Sequence, residues 1–185
     1  MSVYIALLRG INVGGKNVIK MSELKEAFES IGLCDVKTYI QSGNVLFKSN
    51  ESEEALCDRM EAAIKEVFNI STNIILRTSK ELDQTIRNIP FSKEEISEAE
   101  NLSNVESLYI GCLKQIPSHE NSKSLERYQN KSDQYCLIGR EVYLLFQHSI
   151  RNSKLADNLH KLDVPMTVRN LKTLNKLDEL AKAME

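Results

Sequence analysis

Hydrophobic residues in this chain form short apolar runs that alternate with amphipathic segments. Residues 3–8 are apolar without alternation, which is typical of a strand buried on both faces. A helix face is indicated by apolar residues spaced i, i+3, i+4 and i+7, namely Leu24, Ala27, Phe28 and Ile31. Gly32 suits the position just after that helix. The pattern therefore predicts a strand, a glycine-rich segment and a helix that begins near Met21.

A β-hairpin and a second helix are predicted next. The predicted strands 36–40 and 45–47 flank Ser42-Gly43-Asn44, which is a turn signal. Asn50 is the predicted N-cap of the following helix, with Glu53 three residues later. The apolar stripe of that helix consists of Leu56, Met60, Ala63, Ile64 and Val67. A fourth strand at residues 73–77 and a helix at 79–88 complete the first half.

These elements follow the order β-α-β-β-α-β, which is the ferredoxin-like topology. In this topology the first strand pairs with the third. The loop after the first strand and the turn after the second strand then lie at the same end of the sheet. We therefore expect residues 9–17 to lie near residues 41–44.

The second half repeats the same order of elements. Strands are predicted at residues 107–113, 134–138, 141–146 and 165–168, and helices at 123–129, 154–162 and 171–184. Residues 4–8 resemble residues 109–113, and residues 76–82 resemble residues 168–174. Because both matches fall at equivalent points of the topology, the sequence predicts an internal duplication.

The join between the halves contains Pro90 and an acidic segment. Ser92 and Glu95 have the spacing of a capping box, so we interpret the segment as a solvated connecting helix. We predict a ferredoxin-like lobe at 1–89, a connecting helix at 90–104 and an α+β lobe with a closing helix at 105–185. The strands are apolar throughout, so we expect an α+β fold of two packed ferredoxin-like halves.

Composition narrows the classes of function. The 185 residues carry a formal net charge of −2, so no global basic field favours nucleic acid or a membrane surface. The four cysteines show no CxxC spacing, which is typical of reduced thiols in a cytoplasmic protein. We find no leader-like segment and no apolar run long enough to span a bilayer. The sequence predicts no metal site and no cofactor, because the three histidines lack partners at ligand spacing.

The best candidate site is the glycine loop, residues 9–15, which holds three of the seven glycines. Glycine-rich turns before a helix offer backbone N–H groups to anions, and nearby cations strengthen such a site. The spacing matches neither the GxGxxG fingerprint nor the P-loop. The candidate ligand-binding residues are Arg9, Gly10, Asn12, Gly14, Gly15, Lys16, Asn17, Gln41, Ser42 and Asn44, with Arg169, Asn170 and Thr173 at the start of the last helix.

Each motif also has a purely structural interpretation. The glycine loop can serve only to shape a turn, residues 41–44 can be a hairpin turn closed by its own side chains, and Asn170 can be a helix cap. Ser42 lacks a nearby histidine base in the sequence, which argues against a hydrolase triad. No catalytic residue is predicted.

Four motifs together resemble those of the bacterial family DUF1697. They are residues 8–15 (LRGINVGG), Met21 with Leu24, residues 38–47 (TYIQSGNVLF), and residues 167–170 (TVRN) with Thr173. The family usually carries an aromatic residue after the Arg-Asn pair, where this chain has Leu171, so no stacking role is implied there. The resemblance implies a cytosolic α+β protein with ferredoxin-like character and no known activity.

Three functions compete at this point. The first is a site for an anionic or phosphate-bearing small molecule at the glycine loop and the 41–44 turn. The second is an RNA- or DNA-binding module, which needs exposed aromatics on the sheet, with Tyr4 and Phe47 as the candidates. The third is a structural or interaction protein. We favour the first.

Overall fold

The computed structural model describes residues 1–185 and contains eight strands and seven helices. The strands are β1 (Ser2–Leu8), β2 (Cys34–Tyr39), β3 (Asn44–Ser49), β4 (Ile74–Thr78), β5 (Leu108–Leu113), β6 (Asp133–Ile138), β7 (Glu141–Phe146) and β8 (Met166–Asn170). The helices are α1 (Met21–Ser30), α2 (Glu53–Phe68), α3 (Ser79–Arg87), α4 (Lys93–Leu102), α5 (His119–Lys123), α6 (Lys154–Asp157) and α7 (Leu171–Lys182). None of the helices has the length and apolar content that crossing a membrane requires.

The chain divides into two compact units. The N-terminal unit comprises Met1–Gln84 with Asn175–Glu185, and the C-terminal unit comprises Thr85–Leu174. Each unit contains one four-stranded antiparallel sheet, with strand orders β2-β3-β1-β4 and β6-β7-β5-β8. The first strand of each sheet therefore pairs with the third, as in the predicted ferredoxin-like order, and the fold is α+β.

Strands β1, β3 and β4 of the N-terminal sheet are buried on both faces, whereas most of the edge strand β2 is not. On one face, α1 and α2 pack against the strands through residues such as Phe28 and Met60, both fully buried. The opposite face carries Ile5, Leu7 and Ile75, which are also fully buried. Removing this much apolar surface from water is the main favourable contribution to folding. It explains why these strands lack polar alternation.

The internal duplication is visible in equivalent backbone hydrogen bonds. The amide of Leu8 donates to Gly43 O at 2.8 Å, and the amide of Leu113 donates to Arg140 O at 2.8 Å. In each unit the residue after the first strand donates its amide to the carbonyl of the residue just before the fourth strand. Arg9 N donates to Asn73 O, and Lys114 N donates to Pro165 O. The two sheets thus share order, pairing and loop closure.

Two arginines occupy equivalent positions in the two sheets. Arg77 of β4 pairs in register with Ile5, and Arg169 of β8 pairs with Ile110. In both cases Nη1 donates to the carbonyl of the preceding residue, at 2.7 Å for Arg77 and 3.0 Å for Arg169. A long cation in the same place in each repeat supports the duplication.

Cap positions explain two differences from the predicted helices. Asn50 is not the cap of α2, because Ser52 directly precedes the helix in extended backbone and accepts a hydrogen bond from Ala55 N. The predicted helix at 123–129 is also wrong. The helix lies earlier, since Ser118 caps it by accepting from Asn121 N, and only a 3-10 turn remains at Glu126–Tyr128.

Two further differences concern helix length and one apolar position. The predicted helix at 154–162 is α6 followed by a 3-10 turn at Leu159–Leu162, because Asn158 leaves the helical region between them. Val67 does not belong to the buried stripe of α2, since it is 57% exposed. The predicted capping box of α4 is confirmed, with Ser92 and Glu95 bonding each other's backbone.

Candidate functional site

The glycine loop ends in a tight turn that projects from the N-terminal unit. Gly14 and Gly15 have φ of 58° and 73°, and the amide of Lys16 donates to Val13 O at 3.0 Å. Positive φ at both central residues defines a type I′ turn, which strongly favours glycine. We call residues 13–16 the Gly-Gly turn. Its conformation accounts for the paired glycines in the sequence.

Asn12 holds the base of this turn. Its Nδ2 donates to Ile19 O at 3.0 Å and to Gln41 O at 2.7 Å, and its Oδ1 accepts from Ile19 N at 2.8 Å. One side chain therefore joins the loop to the segment that leads into α1 and to the β2–β3 turn. Asn12 itself has φ of 56°, a conformation that asparagine tolerates better than most residues.

Other hydrogen bonds fix the entrance and exit of the loop. Asn17 Nδ2 donates to Gly10 O at 3.0 Å, so the side chain bridges the loop. Thr72 Oγ1 donates to Arg9 O at 2.6 Å. The main chain at Arg9 is thus fixed by hydrogen bonds, while the Arg9 side chain is exposed.

The turn between β2 and β3, which we call the hairpin tip (residues 41–44), packs directly on the loop. A Cβ placed on Gly43 would lie 2.9 Å from Leu8 Cβ and 3.4 Å from Ile11 Cβ. Asn44 is buried, and its Nδ2 donates to Tyr39 O and to Ser42 Oγ. The loop and the hairpin tip are therefore neighbours, as the topology predicts. Much of the amide chemistry there serves to hold the two segments together.

Replacing Asn12 by alanine should lower the free energy of unfolding by about 2 kcal/mol, because three hydrogen bonds and a tolerated positive φ are lost together. Asn12→Gly should cost less, since glycine keeps the backbone conformation. Urea unfolding followed by circular dichroism measures both values. Equal losses would show that the hydrogen bonds alone matter, and no loss in either variant would contradict the role assigned to Asn12.

Two cations of the loop region remain without protein partners. The side chains of Arg9 and Lys16 are exposed and make no hydrogen bond or ion pair. Lys20 differs, because its Nζ lies 3.2 Å from Glu23 Oε1. Glu23 is the first acidic residue of the chain, so residues 1–22 contain cations and no carboxylate. The sequence alone shows this excess of positive charge in residues 1–22, although the formal net charge of the whole chain is −2.

The start of α1 adds unpaired donors to the same segment. Lys20 occupies the N-cap position and its side chain provides no capping hydrogen bond. First-turn N–H groups of a helix have no intrahelical partners, and they favour negative charge when no side chain caps them. The glycine loop therefore leads into a helix whose start has no side-chain cap and carries Glu23 in its first turn.

The residues predicted at the last helix belong to the C-terminal unit and are engaged there. Arg169 Nη1 donates to Thr167 Oγ1 at 2.6 Å as well as to Val168 O, and its removal from water lowers the pKa of its guanidinium to about 10. Asn170 Oδ1 accepts from Thr173 N at 2.8 Å and so caps the start of α7. This is the cap arrangement that the structural interpretation of the motif describes.

The aromatic pair of the N-terminal sheet lies within the helix-covered core. Tyr4 and Phe47 stack with ring centroids 5.7 Å apart, and Phe47 is fully buried. Single-stranded RNA recognition on a ferredoxin-like sheet needs exposed rings. This sheet face does not offer them. No group of three or more His, Cys, Asp or Glu side chains is arranged to hold a metal ion.

Comparison with known proteins identifies the family. The family described as "Protein of unknown function (DUF1697)" matches residues 1–143, which include the glycine loop and the hairpin tip but not the motif at 167–173. The conserved bacterial protein SP0830 from Streptococcus pneumoniae is 24% identical, with 97% of this chain and 98% of that chain covered and a TM-score of 0.75, a likeness that shows the fold. Comparison with curated proteins gave no match. The chain therefore belongs to the DUF1697 family, whose function is unknown.

Proposed function

We propose that the glycine loop, together with Lys16 and the adjoining hairpin tip, binds a small molecule that carries a phosphate or a comparable anion. The observation that carries this proposal is the contrast between the amides and the cations of the loop. Asn12 and Asn17 are used to fix its shape, whereas Arg9 and Lys16 are left without partners.

Such an arrangement favours anion binding for physical reasons. A guanidinium forms paired hydrogen bonds with a phosphate, and an ammonium adds a flexible point charge. A loop already held by internal hydrogen bonds loses little conformational entropy when a ligand binds. The backbone N–H groups at the uncapped start of α1 carry partial positive charge, which also favours an anion.

The chemistry of the loop supports binding rather than a catalytic step. Residues 9–20 contain no His, Cys, Asp or Glu, so the segment supplies no imidazole, thiol or carboxylate as a general base or nucleophile. Positive charge alone would position a ligand and stabilise its negative charge. We therefore assign the segment a binding role.

Inorganic phosphate and pyrophosphate should raise the melting temperature of the wild-type chain through this site. Arg9→Ala and Lys16→Ala should each weaken binding by about tenfold, the effect of losing one charge-assisted hydrogen bond. Lys131→Ala, which removes an exposed lysine of the C-terminal unit, is the matched control. Titration calorimetry supplies the affinities. Equal binding by all four proteins would contradict the proposal.

A further inference from the structure

A shallow groove lies at the end of α4 in the C-terminal unit. It is wide open to solvent, has a volume of about 540 Å³ and is lined by Glu100, Ser103, Asn104, Val105 and Glu106. Both ionisable residues in this lining are acidic. Val105 is 50% exposed, and the neighbouring Leu102 is 60% exposed. We call this feature the α4 groove. It combines negative charge with apolar surface that the chain leaves in contact with water.

The Gly-Gly turn has the opposite character. Its apex consists of the two glycines, and Lys16 lies at its base opposite Val13, which is 62% exposed. Val18 is 70% exposed and lies close to the turn, because Asn12 bonds both polar groups of the next residue, Ile19. The turn therefore presents the Lys16 ammonium beside two exposed branched apolar side chains.

The two surfaces are complementary in charge and polarity. The Gly-Gly turn carries a cation beside exposed apolar side chains, and the α4 groove carries two carboxylates beside exposed apolar side chains. Since each surface is exposed, neither is used within its own chain. We infer that the Gly-Gly turn of one copy of the protein docks into the α4 groove of a second copy, with Lys16 facing Glu100 and Glu106.

This contact joins different patches on the two copies, so it is heterologous. Such contacts close into rings or extend as open chains, according to the rotation between copies. A four-residue tip buries far less surface than a standard stable interface, so the association is weak and depends on concentration. Exposed charge pairs are screened by salt, so it is also salt-sensitive. The inference goes beyond the proposed ligand site, because the α4 groove has no part in that site.

Sedimentation velocity over a range of protein concentrations tests the inference. At low ionic strength the sedimentation coefficient should rise with concentration, and in about 0.5 M salt, where the screening length is a few ångströms, the rise should disappear. Lys16→Glu should abolish the rise, as should the double variant Glu100→Lys with Glu106→Lys. Lys131→Glu, which changes the same charge elsewhere, should leave it intact.

The decisive experiment mixes the Lys16→Glu protein with the double variant Glu100→Lys and Glu106→Lys. The acidic tip of the Lys16→Glu chain then meets the basic groove of the double variant, and association should return in the mixture although neither protein associates alone. All substituted side chains are exposed, so the variants should fold, which circular dichroism verifies. A wild-type chain that stays monomeric at every concentration would overturn the inference. Association that persists in both variants, or fails to return on mixing, would overturn it as well.

Inorganic phosphate separates this contact from the ligand site. At equal ionic strength, phosphate should dissociate the copies more effectively than chloride if it occupies the cations of the loop. If phosphate and chloride act equally while the mixing experiment succeeds, the docking stands and the proposed ligand function fails. The two proposals therefore fail independently.

Discussion

Replacing Gly43 by alanine is expected to lower the free energy of unfolding by about 3 kcal/mol. The new methyl group would lie 2.9 Å from Cβ of Leu8, a residue that is only 1% exposed. It would also occupy a backbone with φ of 74°, which strains any residue with a Cβ. The hairpin tip and the strand before the glycine loop would have to move apart, so the hydrogen bond from Leu8 N to Gly43 O would weaken.

Gly14→Ala is the matched control for this prediction. Gly14 has φ of 58°, but a Cβ there meets no atom within 4 Å. Only the backbone strain remains, so the expected loss is about 1 kcal/mol. Urea unfolding of both variants gives the comparison. If the two variants lose the same stability, the close contact between hairpin tip and β1 is not important for folding.

Removing the side chain of Arg77 is expected to cost about 3 kcal/mol or more. Arg77 is only 1% exposed and is among the largest fully buried side chains of the protein. Arg77→Ala would create a cavity and remove the donor that Leu76 O accepts at 2.7 Å. Arg77→Met keeps much of the apolar volume, so the difference between the two variants separates the cavity from the lost hydrogen bonds.

Arg169 is the control at the equivalent position of the second sheet. It is less completely buried than Arg77, so water can replace some of what Arg169→Ala removes, and the expected loss is about 1–2 kcal/mol. Chemical denaturation of both alanine variants measures the ranking. A greater loss at Arg169 than at Arg77 would show that burial does not control the contribution of these two arginines.

The sequence predicts the topology of the fold well, and the reason is physical. Runs such as residues 3–8 lack polar alternation because both faces of the strand are buried. The weak similarity of residues 76–82 to 168–174 corresponds to a real equivalence, in which Arg77 and Arg169 occupy the same register. Patterns of burial and repetition extend over many residues, so single errors do not hide them.

Cap positions and short helices are predicted less well, because they depend on single hydrogen bonds. Asn50 and Ser52 are both good N-cap residues, and only the path of the chain after β3 selects Ser52. The segment around residues 119–128 has little apolar periodicity, so the bond from Asn121 N to Ser118 Oγ determines where its helix lies. When neighbouring residues can each serve as an N-cap, the sequence pattern does not show which of them begins the helix.

In the candidate site, the sequence predicts which segments lie close together, but it does not predict the hydrogen-bond partners of each side chain. Topology places residues 9–17 beside residues 41–44, as the hydrogen bond from Asn12 to Gln41 O shows. Residue types alone do not reveal that the Asn12 side chain forms internal hydrogen bonds whereas the Arg9 side chain has no partner. Asparagine and arginine are equally plausible ligand donors until the backbone acceptors around them are known.

Glycine amide resonances offer the most direct test of the anion site. The chain has seven glycines, of which Gly10, Gly14 and Gly15 belong to the glycine loop. On titration with inorganic phosphate at constant ionic strength, ¹H–¹⁵N spectra should show saturable shifts of these three amides. Gly32, Gly111 and Gly139 should remain unchanged, and in Arg9→Ala the shifts should need about tenfold more phosphate to reach half-saturation. Linear, unsaturable shifts spread over all the glycines, or half-saturation at the same phosphate concentration in Arg9→Ala and wild type, would contradict a phosphate site at this loop.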